Sequence, residues 1–144
     1  MFLGDYDMNE IELIKKAFKF LLDKGFDLTC YKNNYEYCVT YSCAKLEIVL
    51  DYDLRTHQFE VGLMNIAKRD KNAYLSIMEM DTLDEYSRNE VIKKIMTIYD
   101  NEERKWFFSK KSLNKIINIY AEFIKQNIEV LESLATINPT DEDF

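Results

Sequence analysis

The sequence predicts an α+β fold: a four- to five-stranded antiparallel meander with an N-terminal helix and C-terminal helices packed on one face, in two layers. Apolar and polar residues alternate from Phe26 to Leu63 and keep one parity through three chain reversals. Helical periodicity precedes this stretch and returns after it. The 144 residues include only three Gly and one Pro, which favours one domain over residues 1–144. We expect residues 1–8 and 138–144 to be frayed ends.

The first helix is predicted from Asn9 to Lys24. Asn9 and Glu12 have the spacing of a capping box. Apolar residues then recur at intervals of three and four up to Leu22. Gly25 stands where a left-handed C-terminal cap is expected, so the helix should end there.

The first hairpin of the meander is predicted to turn at residues 33–34. Both are asparagine, a residue that tolerates the positive φ of a tight two-residue turn. This turn would set Cys30 opposite Tyr37 and Leu28 opposite Val39, which pairs apolar with apolar.

Two further reversals complete the predicted sheet, one at residues 43–44 and one over residues 53–58. They would pair Tyr41 with Leu46 and Tyr52 with Phe59. Because a one-residue slip turns every side chain over, the parity shared by all three reversals predicts which residues face the core.

The C-terminal half is predicted to be mainly helical. After a charged loop over residues 65–72, residues 73–80 are predicted as a fifth strand. Ser87 and Glu90 have capping-box spacing and should open a helix, with residues 81–86 as the alternative place for its start. A long amphipathic helix follows, with apolar residues from Leu113 to Leu134, Ser109 or Ser112 as its cap, and an end before Pro139.

The opposite parity of the sheet is acidic and supplies the candidate binding site. It holds five carboxylates and one lysine, with Tyr31, Val49 and Met64 among them. A solvated face explains the acids alone, whereas apolar anchors among acids favour docking onto a basic protein surface. The predicted contact residues are Asp27, Tyr31, Glu36, Glu47, Asp51 and Glu60.

Overall charge also favours a basic protein partner. With 26 acidic and 19 basic side chains the net charge is −7, which repels nucleic acid and anionic membranes. The acidic N-terminus does not resemble a secretory leader, and no apolar stretch reaches the roughly 18 to 20 residues of a membrane span. We therefore expect a cytoplasmic protein.

No catalytic, metal or cofactor motif is present, so we expect a non-enzymatic protein without a cofactor. His57 is the only histidine, and it lies near Asp51 and Asp53 without the spacing of a known metal motif. The odd number of cysteines argues against a disulfide framework. Cys30 is predicted in the core, Cys38 as an exposed thiol and Cys43 in a turn.

A basic and aromatic stretch over residues 104–111 has the composition of a single-strand nucleic-acid groove. In an acidic chain the favoured interpretation is structural. Trp106, Phe107 and Phe108 would anchor the connection between the last two helices.

The order of helix, meander and helices, ending in the stretch from Tyr120 to Ile128, resembles small uncharacterised intracellular bacterial proteins. Some of these are similar to the immunity proteins that accompany polymorphic toxins. The resemblance covers the layout of most of the chain and transfers no functional residue. It implies a non-enzymatic binder that blocks a toxin domain, often through an acidic patch.

Three functions follow as expectations. The first is a small acidic, immunity-like binding protein that neutralises a basic protein partner through its acidic sheet face. The second is a self-associating structural or regulatory subunit, possible as a homodimer, that uses residues 106–108 or an uncovered sheet edge. The third is a carboxylate-dependent hydrolase centred near His57.

Overall fold

A computed structural model describes residues 9–43, 46–65, 74–79, 83–102 and 109–131. The strands are β1 (Asp27–Lys32), β2 (Glu36–Ser42), β3 (Leu46–Asp53), β4 (Phe59–Asn65) and β5 (Tyr74–Ser76). The helices are α1 (Glu10–Ala17), α2 (Phe20–Asp23), α3 (Glu85–Glu102) and α4 (Lys110–Gln126), with a 3-10 turn at Ile77–Glu79. In the described chain, two helices precede the sheet and two further helices follow it.

The sheet is an antiparallel meander in the order β1-β2-β3-β4-β5, which confirms the predicted fold class. Helices α1 and α4 contact each other and contact β2 and β4 respectively, while α3 packs on α4. The apolar strand residues buried between these layers all have the predicted inward parity: Val39, Tyr41, Leu46, Ile48, Leu50, Tyr52, Phe59, Val61 and Leu63. We call this side the inner face and the opposite side the outer face.

Aromatic contacts join the two layers. The rings of Phe59 on β4 and Tyr120 on α4 meet edge to face, 5.5 Å between centroids. The rings of Phe18 and Tyr41 lie 6.4 Å apart beneath α1. Burial of these large side chains supplies much of the hydrophobic stabilisation of the fold.

The N-terminal cap is confirmed, but the single first helix is wrong. Asn9 Oδ1 accepts a hydrogen bond of 2.9 Å from the Glu12 amide, and Gly25 adopts a φ of 92°. Between them the helix breaks after Ala17. The amide of Leu21 bonds to the Phe18 carbonyl, a tighter i to i+3 bond, and both side chains are fully buried.

The first two predicted registers are wrong by two residues. Cys30 pairs with Val39 rather than Tyr37, and Tyr41 pairs with Ile48 rather than Leu46. The predicted pairing of Tyr52 with Phe59 is confirmed. Because two is an even number, every residue keeps its predicted face despite the shift.

The side chain of Asn33 explains the first shift. Its Oδ1 accepts hydrogen bonds from the amides of Tyr35 and Glu36, at 2.7 and 2.9 Å. The Asn33 amide also donates to the Glu36 carbonyl, so the tight turn lies at residues 34–35, one position later than predicted. Neither asparagine has a positive φ; His57 is the one non-glycine residue with positive φ among those described. In the second hairpin the Cys43 amide donates to the Leu46 carbonyl, and residues 44–45 between them lie outside the described residues.

The predicted capping role of Ser87 is wrong, and α3 begins at Glu85, within the alternative stretch of residues 81–86. Asp84, not Ser87, caps the helix: its Oδ2 accepts from the Ser87 amide at 2.9 Å and from the Ser87 hydroxyl at 2.8 Å. These hydrogen bonds lower the pKa of Asp84. The helix therefore begins two residues before Ser87, as an N-cap aspartate requires.

The fifth strand and the last helix differ in length from prediction. The fifth strand is confirmed over residues 74–76 only, and Ile77 then enters the 3-10 turn. The predicted Ser109 cap of α4 is confirmed by a bond of 3.1 Å from the Ser112 amide to its hydroxyl. Helix α4 ends at Gln126, and residues 128–131 resume helical structure after Asn127. The predicted frayed ends, Leu134, Pro139 and residues 106–108 lie outside the described residues.

Candidate protein-binding face

The outer face places the predicted contact residues in two groups rather than one. Strand pairing aligns Tyr31, Cys38, Asp51 and Glu60 in one row across four strands. A second row aligns Asp27, Ser42, Glu47 and Met64. Since Glu47 and Asp51 are four residues apart on β3, the rows are separated by about 13 Å.

The predicted contact residues are open to solvent to different degrees. Asp27, Tyr31 and Glu60 are exposed, while Glu36, Glu47 and Asp51 are half-buried. The outer face is therefore acidic, as predicted, and only part of its charge is fully hydrated.

One end of the outer face forms a hollow of about 220 Å³, which we call the acidic hollow. It is lined by Glu36, Asp51, Asp53, Thr56, Gln58 and Glu60. The hollow brings together three predicted contact residues and adds Asp53, which sequence analysis had considered only as a metal ligand. Four carboxylates in so small a volume repel one another, so a cation entering the hollow is favoured.

Asp51 carries the clearest sign of this repulsion. Burial, a hydrogen bond shared with the neighbouring carboxyl of Glu36, and the charges of Glu36 and Glu60 together raise the pKa of Asp51 to about 6. Its Oδ1 atom is buried and accepts no hydrogen bond from any described residue. Ionised Asp51 is thus poorly stabilised by the protein itself.

The ionised carboxylate of Asp53, in contrast, is stabilised by its neighbours. Its Oδ1 accepts hydrogen bonds from the amides of Arg55 and Thr56, at 2.8 and 3.1 Å. The bond from Thr56, followed by that from Arg55, lowers the pKa of Asp53. The acidic hollow therefore contains one carboxylate held ionised and one that takes up a proton readily.

Two exposed tyrosines are close to residues of the acidic hollow along the strands: Tyr31 is in the row of Asp51 and Glu60, and Tyr35 directly precedes Glu36. Tyr31 and Tyr35 are each 59% exposed. Asn33 donates a hydrogen bond of 3.3 Å to the Tyr31 hydroxyl, and the Arg55 guanidinium lies 5.4 Å from the centre of the Tyr35 ring. Large tyrosine rings held in place at low entropy cost are typical anchors of protein interfaces.

His57 has a structural role in the described geometry. Its Nδ1 shares a hydrogen bond of 2.8 Å with the hydroxyl of Tyr52, whose pKa is raised by burial. The Tyr99 hydroxyl donates to the His57 carbonyl at 3.2 Å and accepts from the Phe59 amide at 2.9 Å. His57 therefore joins the connection between β3 and β4 to α3, a role without a signal in the sequence.

The three cysteines are free and lie in different surroundings. The core position predicted for Cys30 is wrong: Cys30 has the inward parity but is exposed, because β1 is at the edge of the described sheet. Cys38 is half-buried and not the exposed thiol predicted, and this burial raises the pKa of its thiol. Cys43 packs partly against the core beside its turn.

Glu102 is a buried carboxylate that sequence analysis missed. It is 5% exposed at the end of α3 and accepts a hydrogen bond of 3.0 Å from the Ser109 amide and one of 3.2 Å from the Ser109 hydroxyl. The Ser112 hydroxyl donates to it as well. Glu102 thus stabilises the start of α4, where the helix dipole favours a negative charge.

Comparisons with protein-family models, with curated proteins and with solved structures gave no match. Among the described residues, no group of three or more His, Cys, Asp or Glu side chains is placed to hold a metal ion. None of the helices in the described ranges has the length and apolar composition needed to cross a membrane.

Proposed function

We propose that this protein is a non-enzymatic, immunity-like binding protein that captures a basic protein partner on its outer face. The acidic hollow receives an arginine or lysine side chain of the partner, and the two exposed tyrosines make apolar contacts. The observation that supports this proposal is the position of four carboxylates in one hollow, with the exposed Tyr31 in the same row of the sheet as Asp51 and Glu60.

The electrostatics of the acidic hollow favour such a ligand. A cation near Asp51 would stabilise a carboxylate that Glu36 and Glu60 now destabilise. A guanidinium has five donors in a planar fork, which suits several acceptor oxygens at once. The favourable free energy of binding would come both from the relief of repulsion among the carboxylates and from new hydrogen bonds.

The proposal narrows the predicted contact surface. Tyr31, Glu36, Asp51 and Glu60 belong to the row and hollow that would hold the partner's basic side chain. Asp27 and Glu47 lie at the other end of the outer face, where they would steer a basic partner over a longer range.

Titration calorimetry with a hexa-arginine peptide tests the proposal. The double variant Glu36→Gln/Glu60→Gln removes two charges from the acidic hollow and should weaken binding at least tenfold, as lost close charge pairs do. The matched variant Asp27→Asn/Glu47→Gln removes the same charge from the same face, and we expect less than a threefold change. Equal weakening by both pairs would show that only net charge matters, and the proposal would fail.

A further inference from the structure

A groove of about 560 Å³ runs between α3 and α4, on a different part of the molecule from the outer face. Its apolar lining comes from Val91, Ile98, Ile119 and Phe123, of which Ile98 and Ile119 are half-exposed. Tyr86 stands at one end with 73% of its surface exposed. Such a groove between helices accepts a ridge of side chains from another helix.

The residues that α3 contributes to the groove form a self-complementary series. Tyr86, Glu90, Lys94 and Ile98 line it at intervals of four residues, so they form one ridge on the helix surface. The series is an aromatic, an acid, a base and an aliphatic residue. A two-fold axis at the level of residue 92 would place this series against its own reverse. Glu90 would then lie opposite Lys94, and Tyr86 would lie opposite Ile98.

Helix α4 also contributes one base and one acid to the groove. Lys115 and Glu122 both line the groove. Glu102 at the end of α3 bonds to Ser109 at the start of α4, and residues along both helices line one groove, as in an antiparallel helix pair. Lys115 therefore lies toward the Lys94 end of the groove, and Glu122 lies toward the Glu90 end.

We propose that this groove is the interface at which a second copy of the chain docks by two-fold symmetry. The α3 ridge of each copy enters the groove of the other, with the two α3 helices antiparallel. Glu90 then meets Lys94 of the partner subunit, and Tyr86 meets Ile98 of the partner subunit. Each contact occurs twice, as a two-fold interface requires.

Charge complementarity favours a second copy over an unrelated helix. A two-fold interface brings one surface against itself, so it needs opposite charges placed symmetrically about the axis. The groove meets this condition on both helices. A groove for another protein's helix has no such requirement. Because the lining spans only residues 86–98 and 115–126, the interface is small, and we expect a weak dimer in rapid exchange.

Charge-swap variants test both the interface and its register by sedimentation velocity. Lys94→Glu places Glu90 against an acid in both contacts, and Glu90→Lys places two bases together, so each variant should raise the dimer Kd at least tenfold. The double variant Glu90→Lys/Lys94→Glu restores both contacts and should return the Kd to within about threefold of the original.

The decisive measurement mixes the two single variants. One chain then carries bases at both positions and the other carries acids, so the mixture should form heterodimers although neither chain associates alone. Lys111→Glu changes an exposed residue of α4 outside the groove by the same charge and serves as the control, with an unchanged Kd expected. Circular dichroism verifies that every variant is folded.

Three results would overturn the proposal. The original chain could remain a monomer at concentrations up to about 1 mM, a range that detects even weak association. Lys111→Glu could weaken association as much as Lys94→Glu. The mixed single variants could fail to associate, which would leave the groove to another protein's helix.

Discussion

At the scale of single residues, Asp51 and Asp53 show how neighbours set the charge of two carboxyls within one hollow. Asp53 is held ionised by two backbone amides, whereas Asp51 has an oxygen that is buried without a donor. The same protein thus stabilises one negative charge and opposes the other. A residue that costs stability in the unbound protein is typical of a binding site, because a ligand then supplies the missing contact.

Replacing Asp51 by Asn should stabilise the folded protein at pH 7.5. The pKa of Asp51 is raised from 3.8 to about 6 on folding, so the folded form holds more protons between these pH values. The free energy of unfolding therefore falls as pH rises through this window. We expect Asp51→Asn to raise it by about 1 kcal/mol at pH 7.5, because water screens part of the repulsion.

Urea denaturation of both proteins at pH 7.5 and near pH 3.5 measures this difference. At the lower pH both side chains are uncharged, and the two stabilities should converge. A variant that is less stable at pH 7.5 would contradict the repulsion assigned to the acidic hollow.

At the scale of elements, the connection from α3 to α4 depends on Glu102, a carboxylate at the end of α3 that accepts hydrogen bonds at the start of α4. Glu102 accepts from the amide and hydroxyl of Ser109, and Ser109 in turn caps α4 through the Ser112 amide. The end of one helix and the start of the next are therefore stabilised by one set of hydrogen bonds.

Replacing Glu102 by Ala should destabilise the fold by about 2 kcal/mol, because buried donors lose a charged acceptor and α4 loses a negative charge at its N-terminus. Thermal and urea denaturation give the value. Glu129→Ala removes an exposed acid beyond α4 and should change stability by less than about 0.5 kcal/mol. Equal losses in the two variants would contradict the role of Glu102.

At the scale of the whole molecule, the acidic hollow should make binding of a cationic ligand depend on pH. Hexa-arginine should bind the original protein about three- to tenfold more tightly at pH 7 than at pH 5, since the ligand favours ionised Asp51. Asp51→Asn lacks this group and should show a flatter dependence. Calorimetry at several pH values tests this, and identical profiles would exclude Asp51 as the sensitive group.

The faces of the molecule and the pairing of β3 with β4 could be predicted from the sequence, but the first two pairings and the acidic hollow could not. Alternation of apolar residues determines which side of a strand is buried, and that information is local. Register depends on turn geometry, and one side-chain oxygen of Asn33 moved the first hairpin by two residues. The acidic hollow depends partly on the second register, since that pairing is what brings Glu36 beside Asp53. Glu102 could not be found because its partners lie across a helix connection.

The alternation of buried and exposed side chains along the strands, with a period of two residues, has an evolutionary consequence. Insertions or deletions of two residues at a turn would leave both faces of this meander intact, while a single-residue change would exchange the core with the surface along a whole strand. Descendants of such a chain can therefore vary their loops in steps of two and redistribute the charges across the outer face. The same architecture can in this way acquire new recognition patterns without rebuilding its interior.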